Sequence, residues 1–325
     1  MNWLATIWAE ARRGPALALL WVLAAALVAW VFVTGSYLIA VLHFAAIYVV
    51  FVTGLNIFMG FAGQVSFGHN AFAAISGYTS AVLTATYGWP PVPAAALGIA
   101  GALVCALVVG YPTLRLRGHY LAMATLAFGL IAYEVAVQWQ SVTQGYMGIS
   151  GIPPFGIGRL TIGSDRAILL WLIGVAALGM FAAAAIRHSR LGRAFVAIAG
   201  SEDAARALGI DVARYKLAAF LVSAFYAALA GSLFVHAVGF VSPEVFGLHM
   251  VVLAFTMLYV GGIGTIAGAA LGALAVALLP ETVRRFSEYQ DLAYGALLIV
   301  ILIYAPGGLA ALSRIGRTKS PEAGA

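Results

Sequence analysis

Charge is scarce in this chain. Only 9% of its 325 residues are Asp, Glu, Lys or Arg, while 63% are hydrophobic; soluble domains carry roughly 25% charged residues. A water-soluble fold of this length could not solvate its surface with so few charges, so most of the chain must meet lipid. Cysteine is scarcer still. Cys105 stands alone in an apolar run, which excludes an intrachain disulfide and a cysteine-built metal site and reads as a buried, inert thiol. Catalytic signatures are missing as well. H-E-x-x-H, G-x-G-x-x-G and the phosphate-loop lysine pattern do not occur. No Ser–His pair has a recognisable motif spacing, and no two histidines stand four apart. Intramembrane hydrolysis and zinc chemistry therefore have no motif to rest on, and no metal is expected. The net charge of +6 is not a nucleic-acid signal, because the cations sit in polar joints, where they orient helices.

What is present is a series of apolar runs at approximately 16–34, 36–59, 62–87, 91–112, 118–141, 167–186, 217–239, 248–262, 265–280 and 291–312. Backbone groups in lipid must bond within their own segment, which leaves helices. Strand-like alternation is absent. The expected fold is an all-α integral membrane protein, a bundle of about ten transmembrane helices forming one domain over 1–312, with a disordered tail at 313–325. The run 16–34 follows Arg12 and Arg13 and spans roughly 28 Å, too long for the roughly 7–15-residue core of a signal peptide; it reads as a retained first helix. Gly261, Gly262 and Gly264 split 248–280 into two short helices. With the N-terminus inside, Arg12, Arg13, Arg115, Arg117, Arg187, Arg190, Arg193, Arg206, Arg214, Lys216, Arg314, Arg317 and Lys319 fall on the inner side. Arg159, Arg166, Arg284 and Arg285 fall outside. Thirteen cations against four place both termini in the cytoplasm. The longest outer joint, 142–166, is rich in Gly and Pro and either folds over the outer mouth or is an ordinary loop.

Residues 54–80 combine Gly54, Gly60, Gly63, Gly68 and Gly77 with Asn56, Gln64, Ser66, His69 and Asn70. Glycine costs about 1 kcal/mol against alanine inside a helix, and polar side chains in hydrocarbon must pair or face water. Two readings stand. The segment lines a polar pathway, or its small residues let helices touch; the two are compatible. Glu134 is the one carboxylate inside an apolar run and is a candidate for the same lining, or for a wet vestibule beside Gln138. Proton coupling would require further carboxylates or histidines in the spans.

One joint is long. Residues 187–216 carry six of the inner cations and divide into two short helices. Ser189 caps the first, whose Leu191, Phe195 and Ile198 form an apolar stripe off which Arg190 and Arg193 lie. Gly200 breaks it. Ser201 caps the second, with Glu202 and Asp203 in its first turn, where carboxylates oppose the positive helix end. Gly209 stops it. The body 202–208 is under two turns, and isolated helices below about 12 residues are marginal in water. It must dock on its own chain or on a separate protein, and the small Ala204, Ala205 and Ala207 let a groove close around it.

The run D-A-A-R-A-L-G (203–209) resembles the E-A-A-x-x-x-G coupling motif of ATP-binding-cassette (ABC) importer permeases, with Asp203 where Glu is usual. Four other stretches extend the resemblance: G-L-N-I-F-M-G-F-A-G-Q-V-S-F-G-H-N-A-F (54–72), L-R-L-R-G-H-Y-L-A-M-A-T-L-A-F-G (114–129), G-I-S-G-I-P (148–153) and residues 192–220. From about residue 50 to 312 the chain is similar to the branched-chain amino-acid importer permeases, the longer, LivM-type subunit. The resemblance implies a bacterial inner-membrane subunit that pairs with a second permease, two cytoplasmic ATPases and a periplasmic binding protein. ATP would be used by those partner ATPases, with no cofactor bound by this chain. It also implies an ATPase-coupling role for Glu202, Asp203, Ala204, Ala205, Arg206 and Gly209. A permease for urea or short amides shares the pattern, and a secondary transporter working without an ATPase is the more distant alternative. The absent nucleotide-binding motif argues against enzymatic activity of the chain itself.

Overall fold

The computed structural model describes residues 36–157 and 160–282, together with Ile299 and Leu309. The predicted span 16–34, most of 291–312, the tail, Arg159, Arg284, Arg285 and both termini lie outside these residues.

The chain is helical, as its composition requires. Helix α1 (Ser36–Asn56) runs on through a π-helical turn, Ile57–Phe61. Residues 62–68 are irregular. Helix α2 (His69–Ala81) follows and ends in a second π-helical turn, Val82–Thr86. The run predicted as one span over 62–87 is thus helical only from His69. Gly63 takes φ +67°, a left-handed conformation that stops the preceding helix. Pro91 opens α3 (Pro91–Thr113) in the first helical position, where its missing N–H costs nothing. Gly118, at φ +56°, turns the chain into α4 (His119–Gln138), after which comes the single turn α5 (Gln140–Thr143).

The joint after α5 folds back on the bundle. Strand β1 (Ile149–Ser150) pairs antiparallel with β4 (Phe240–Val241), Ile149 opposite Val241, and β2 (Gly156–Ile157) pairs with β3 (Leu160–Thr161). Helix α6 (Asp165–His188) is capped by Ser164, whose hydroxyl accepts from Ala167 N at 3.3 Å. Then come α7 (Arg190–Gly200), α8 (Glu202–Ala207) and α9 (Val212–Val238). The continuous described stretch ends with α10 (Leu248–Gly261) and α11 (Ile266–Thr282). The break expected between these last two is present, with Gly262 at φ +111° and Gly264 at φ +79°.

Six helices among the described residues are long and apolar enough to cross a membrane. The expected count of about ten is not reached there: α2 is polar and begins late, and α11 is shorter than the other six. Helices α1 and α9 form the inner layer, each 72% buried over its most apolar window, while α3, α4 and α6 are peripheral at 28%, 33% and 22%.

Small residues set the close approaches in the inner layer. A Cβ on Gly231 of α9 would stand 2.1 Å from the Ala73 carbonyl oxygen of α2, and one on Gly98 of α3 would stand 2.6 Å from the Ser76 oxygen. Backbones at this distance gain dispersion contacts that lipid cannot supply. Ser76 and Ser232 hydroxyls meet at 2.6 Å in the same seam, and Ser80 Oγ lies 2.7 Å from His236 Nε2. His236 Nδ1 faces the Pro153 carbonyl oxygen at 2.7 Å. These bonds fasten the 149–155 loop onto the ends of α2 and α9 that lie away from α7 and α8.

Candidate functional site

Helices α7 and α8 form a compact corner at one end of the bundle. Ser189 Oγ accepts from Gly192 N at 3.3 Å, and Ser201 Oγ from Ala204 N at 3.2 Å, so both predicted caps are made. Phe195 and Ile198 of α7 are buried, as the apolar stripe requires. Leu191 is not; it is 42% exposed. Gly192 packs so tightly on the last turn of α6 that an added Cβ would lie 2.3 Å from the Ile186 oxygen.

Helix α8 has two different faces. Ala205 packs inward with Ile198 and Val212 in a small apolar cluster. Asp203, Arg206 and Leu208 point outward, with Leu208 81% exposed. Asp203 Oδ1 accepts from Arg206 Nη1 at 3.0 Å and lies 3.6 Å from Arg117 Nη1. Such exposed pairs are worth about 0.2–1 kcal/mol. Gly209 takes φ +82°, and a Cβ there would meet nothing among the described residues.

Glu202 is turned the other way. Its Oε1 accepts from Lys216 Nζ at 2.9 Å and from Gln64 Nε2 at 3.1 Å. Its Oε2 lies 3.5 Å from Arg117 Nε. The Lys216 side chain is only 2% exposed, so this carboxylate is what lets a cation sit inside the protein. One side chain thus ties α8 to α9, to the α3–α4 turn and to the irregular segment 62–68.

That segment and the helix ends on either side of it hold most of the other candidates. Asn56, Gln64, Ser66, His69 and Asn70 are all buried. Asn56 spans the α10–α11 break, accepting from Gly264 N at 2.8 Å and donating to the Thr265 oxygen at 2.9 Å. Gln64 faces Glu202. Ser66 Oγ lies 3.0 Å from His69 Nδ1, at the first turn of α2. Asn70 donates to the Phe246 oxygen at 2.8 Å. Phe67 N donates to Thr125 Oγ1 of α4 at 3.1 Å. Backbone groups that leave the helical ladder are thereby satisfied inside protein, the condition for irregular structure at membrane depth. Two side-chain atoms, His69 Nε2 and Asn70 Oδ1, find no hydrogen-bond partner among the described residues.

Ser66, His69 and Asn70 also line a narrow crevice with Phe51 and Leu55 of α1, Phe67, and Val251, Ala254 and Phe255 of α10. Phe67 and Phe255 close one wall, their ring centroids 4.7 Å apart. Asn56 and Gln64 are not part of it. Glu134 stands apart from all of these, on the exposed face of α4 beside Ile131 and Val135. The described residues contain no cluster of His, Cys, Asp or Glu that could hold a metal ion.

Three participants escaped the sequence reading: Lys216 as a buried partner, Arg117 as a bridge to both carboxylates of α8, and Thr125 as an acceptor for the broken backbone. Both cations had been counted only for the side of the membrane they mark.

Comparison with known proteins bears on the same region. A family model described as "Branched-chain amino acid transport system / permease component" matches residues 37–302. The chain is 35% identical over 313 residues to the high-affinity branched-chain amino acid transport system permease protein LivM of Escherichia coli (strain K12), covering 88% of this chain and 73% of that one. Over 287 residues it is 28% identical to the high-affinity branched-chain amino acid transport system permease protein LivH of the same organism, covering 81% and 90%. The permease protein BraD of Pseudomonas aeruginosa is 27% identical over 281 residues, covering 81% and 91%. No solved structure matches the chain.

Proposed function

The chain belongs to the branched-chain amino acid transport permease family, and on that premise we propose that it is an inner-membrane subunit of an ABC importer for branched-chain or related hydrophobic amino acids. It supplies half of the path across the membrane, and a second permease supplies the other half. Two cytoplasmic ATPases drive it and a periplasmic binding protein delivers the substrate. The chain binds no cofactor; ATP is spent by its partners. The predicted segments 16–34 and 291–312 complete a bundle of about ten spans, with both termini in the cytoplasm.

The observation that carries this reading is the two-faced α8. Its outer face, with Asp203, Arg206, Leu208 and the open space over Gly209, is available to another protein. Its inner face is bonded through Glu202 to the broken segment 62–68. A nucleotide-driven movement of an ATPase groove gripping α8 would therefore reach membrane depth directly. The two packings of the bundle are populated according to which one the ATPase dimer favours. Ser66 and Asn70, at the crevice between α1 and α10, are the polar groups best placed to meet a passing substrate, and the unpaired Asn70 Oδ1 supports this.

Purification from membranes tests the reading. The wild-type chain should bring down an ATPase, and Leu208→Arg should release it while the chain stays inserted. A Leu208→Arg variant that keeps the ATPase and imports leucine, isoleucine and valine at the normal rate would remove the docking role.

A further inference from the structure

Helix α8 and the irregular segment meet at one oxygen atom. Glu202 Oε1 accepts from Gln64 Nε2 at 3.1 Å and from Lys216 Nζ at 2.9 Å. We propose that the Gln64–Glu202 hydrogen bond is a transmission link, a pair of positioning residues through which displacement of α8 is passed to the broken segment and so to the substrate path. The proposal rests on the importer reading above, and goes beyond it by separating gripping the ATPase from using its motion.

Three features support this. First, Glu202 is faced away from the surface an ATPase would touch: its two oxygens are taken by Gln64, Lys216 and Arg117, while Asp203 and Arg206 lie outside. A carboxylate serving only the positive end of a helix needs none of these partners. Second, the neighbouring contact has no slack. Gly63 presses on α7 so closely that a Cβ would lie 2.9 Å from Ala199 Cα. Segment 62–68 is thus braced against α7 at one residue and tied to α8 at the next. Hydrogen bonds tolerate only tenths of an ångström, so α8 cannot shift by much unless Gln64 follows or the bond breaks. Third, the attachments of the segment and of the turn before it lead to the elements around the crevice. Ser66 Oγ contacts His69 at the start of α2, and Gly60 lies against the α10–α11 turn, where a Cβ would come 2.6 Å from Gly264 N. A pull at Gln64 therefore reaches both α2 and the α10–α11 hairpin that flank the crevice.

The test uses the whole transporter, with partner permease, ATPases and binding protein, in proteoliposomes. Substrate moved and ATP hydrolysed are measured on the same preparations, with subunit content checked. Gln64→Met keeps the length and removes the donor. Its ATPase content and hydrolysis should stay within about twofold of wild type, while substrate moved per ATP falls about tenfold. Gln64→Glu should fall at least as far, because two carboxylates then face each other. The double variant Gln64→Glu/Glu202→Gln exchanges donor and acceptor and leaves one carboxylate near Lys216. It should recover the ratio to within about threefold. Recovery cannot come from the crevice, which Gln64 does not line. An unchanged ratio in Gln64→Met overturns the proposal. So does a loss shared equally by assembly, hydrolysis and transport that the double variant fails to restore, since that marks a merely structural bond. If the wild-type chain brings down no ATPase at all, the importer reading fails instead, which is a separate result.

Discussion

Asn56 holds Gly264 across a sequence separation of 208 residues, its Oδ1 accepting from the glycine N–H at 2.8 Å while its Nδ2 donates to the Thr265 oxygen at 2.9 Å. One side chain at the end of α1 thus satisfies two backbone groups that the α10–α11 break sets free. Its own burial is nearly complete. Asn56→Leu should strand both backbone groups and cost about 2–6 kcal/mol, at about 1–3 per buried group. Asn56→Asp keeps the acceptor for Gly264 and should lose less of the folded population, unless the added charge offsets the gain. Thermal unfolding of the detergent-solubilised chain, read by size-exclusion loss, orders the three proteins. Equal midpoints for Asn56→Leu and wild type would show that the break is held by other means.

Lys216 invites a different measurement. A cation this deep needs its counter-charge, so removing only one partner is worse than removing both. Glu202→Gln should destabilise the chain more than the double change Glu202→Gln/Lys216→Met. Breaking such a pair costs about 3–5 kcal/mol when both groups are fully buried; Glu202 keeps 17% exposure, so the lower end of that range is expected. The double-mutant cycle reads the coupling directly. Additive losses would mean that water already screens the pair.

The α2–α9 seam provides a third test. Ser76 and Ser232 each satisfy the other at 2.6 Å, and each is wholly buried. Ser76→Ala or Ser232→Ala alone should cost about 1 kcal/mol, because the remaining hydroxyl loses its partner. The double variant should cost little more than either single one. Gly231→Leu in the same seam has no such escape, since its Cβ falls on the Ala73 carbonyl; the chain should fail to reach the membrane in folded form, as scored by protease resistance.

These contacts divide sharply into those a sequence can announce and those it cannot. Caps at Ser189 and Ser201 and the stop at Gly209 were legible, because each is settled by the chemistry of a few neighbouring residues. So were the Gly-marked break before α11 and the inward Phe195 and Ile198. The role of Lys216 was not. Its partner Glu202 is 14 residues away, but what buries the pair includes Gln64, which lies 138 residues from Glu202. Counting cations by side of the membrane treats Lys216 as one more basic joint residue. The late start of α2 was missed for a related reason. The glycines and polar residues of 62–68 marked a weak helix, but nothing local says where the helix resumes, and part of what makes an unwound backbone tolerable there is the remote Thr125 hydroxyl, which accepts from Phe67 N. Glu134 was legible as a candidate because it is a carboxylate inside an apolar run; its place on the exposed side of α4, apart from the other polar candidates, is set by helix rotation and was not.

Gly209 separates shape from docking. Its φ of +82° favours glycine, yet a Cβ there would touch nothing among the described residues. Asparagine visits left-handed backbone more readily than other side chains, so Gly209→Asn should leave the α8–α9 turn formed, with a stability loss of about 1 kcal/mol. Gly209→Val pays the conformational cost in full and should loosen α8 itself. If an ATPase groove occupies the space beyond Gly209, both variants should release the ATPase from the purified complex, because the asparagine side chain projects into that space even though the turn survives. Co-purification decides the matter when it is paired with protease accessibility of the 201–211 segment. Full ATPase retention by Gly209→Asn together with release by Gly209→Val would mean that glycine serves only to end α8, and that the partner surface stops short of residue 209.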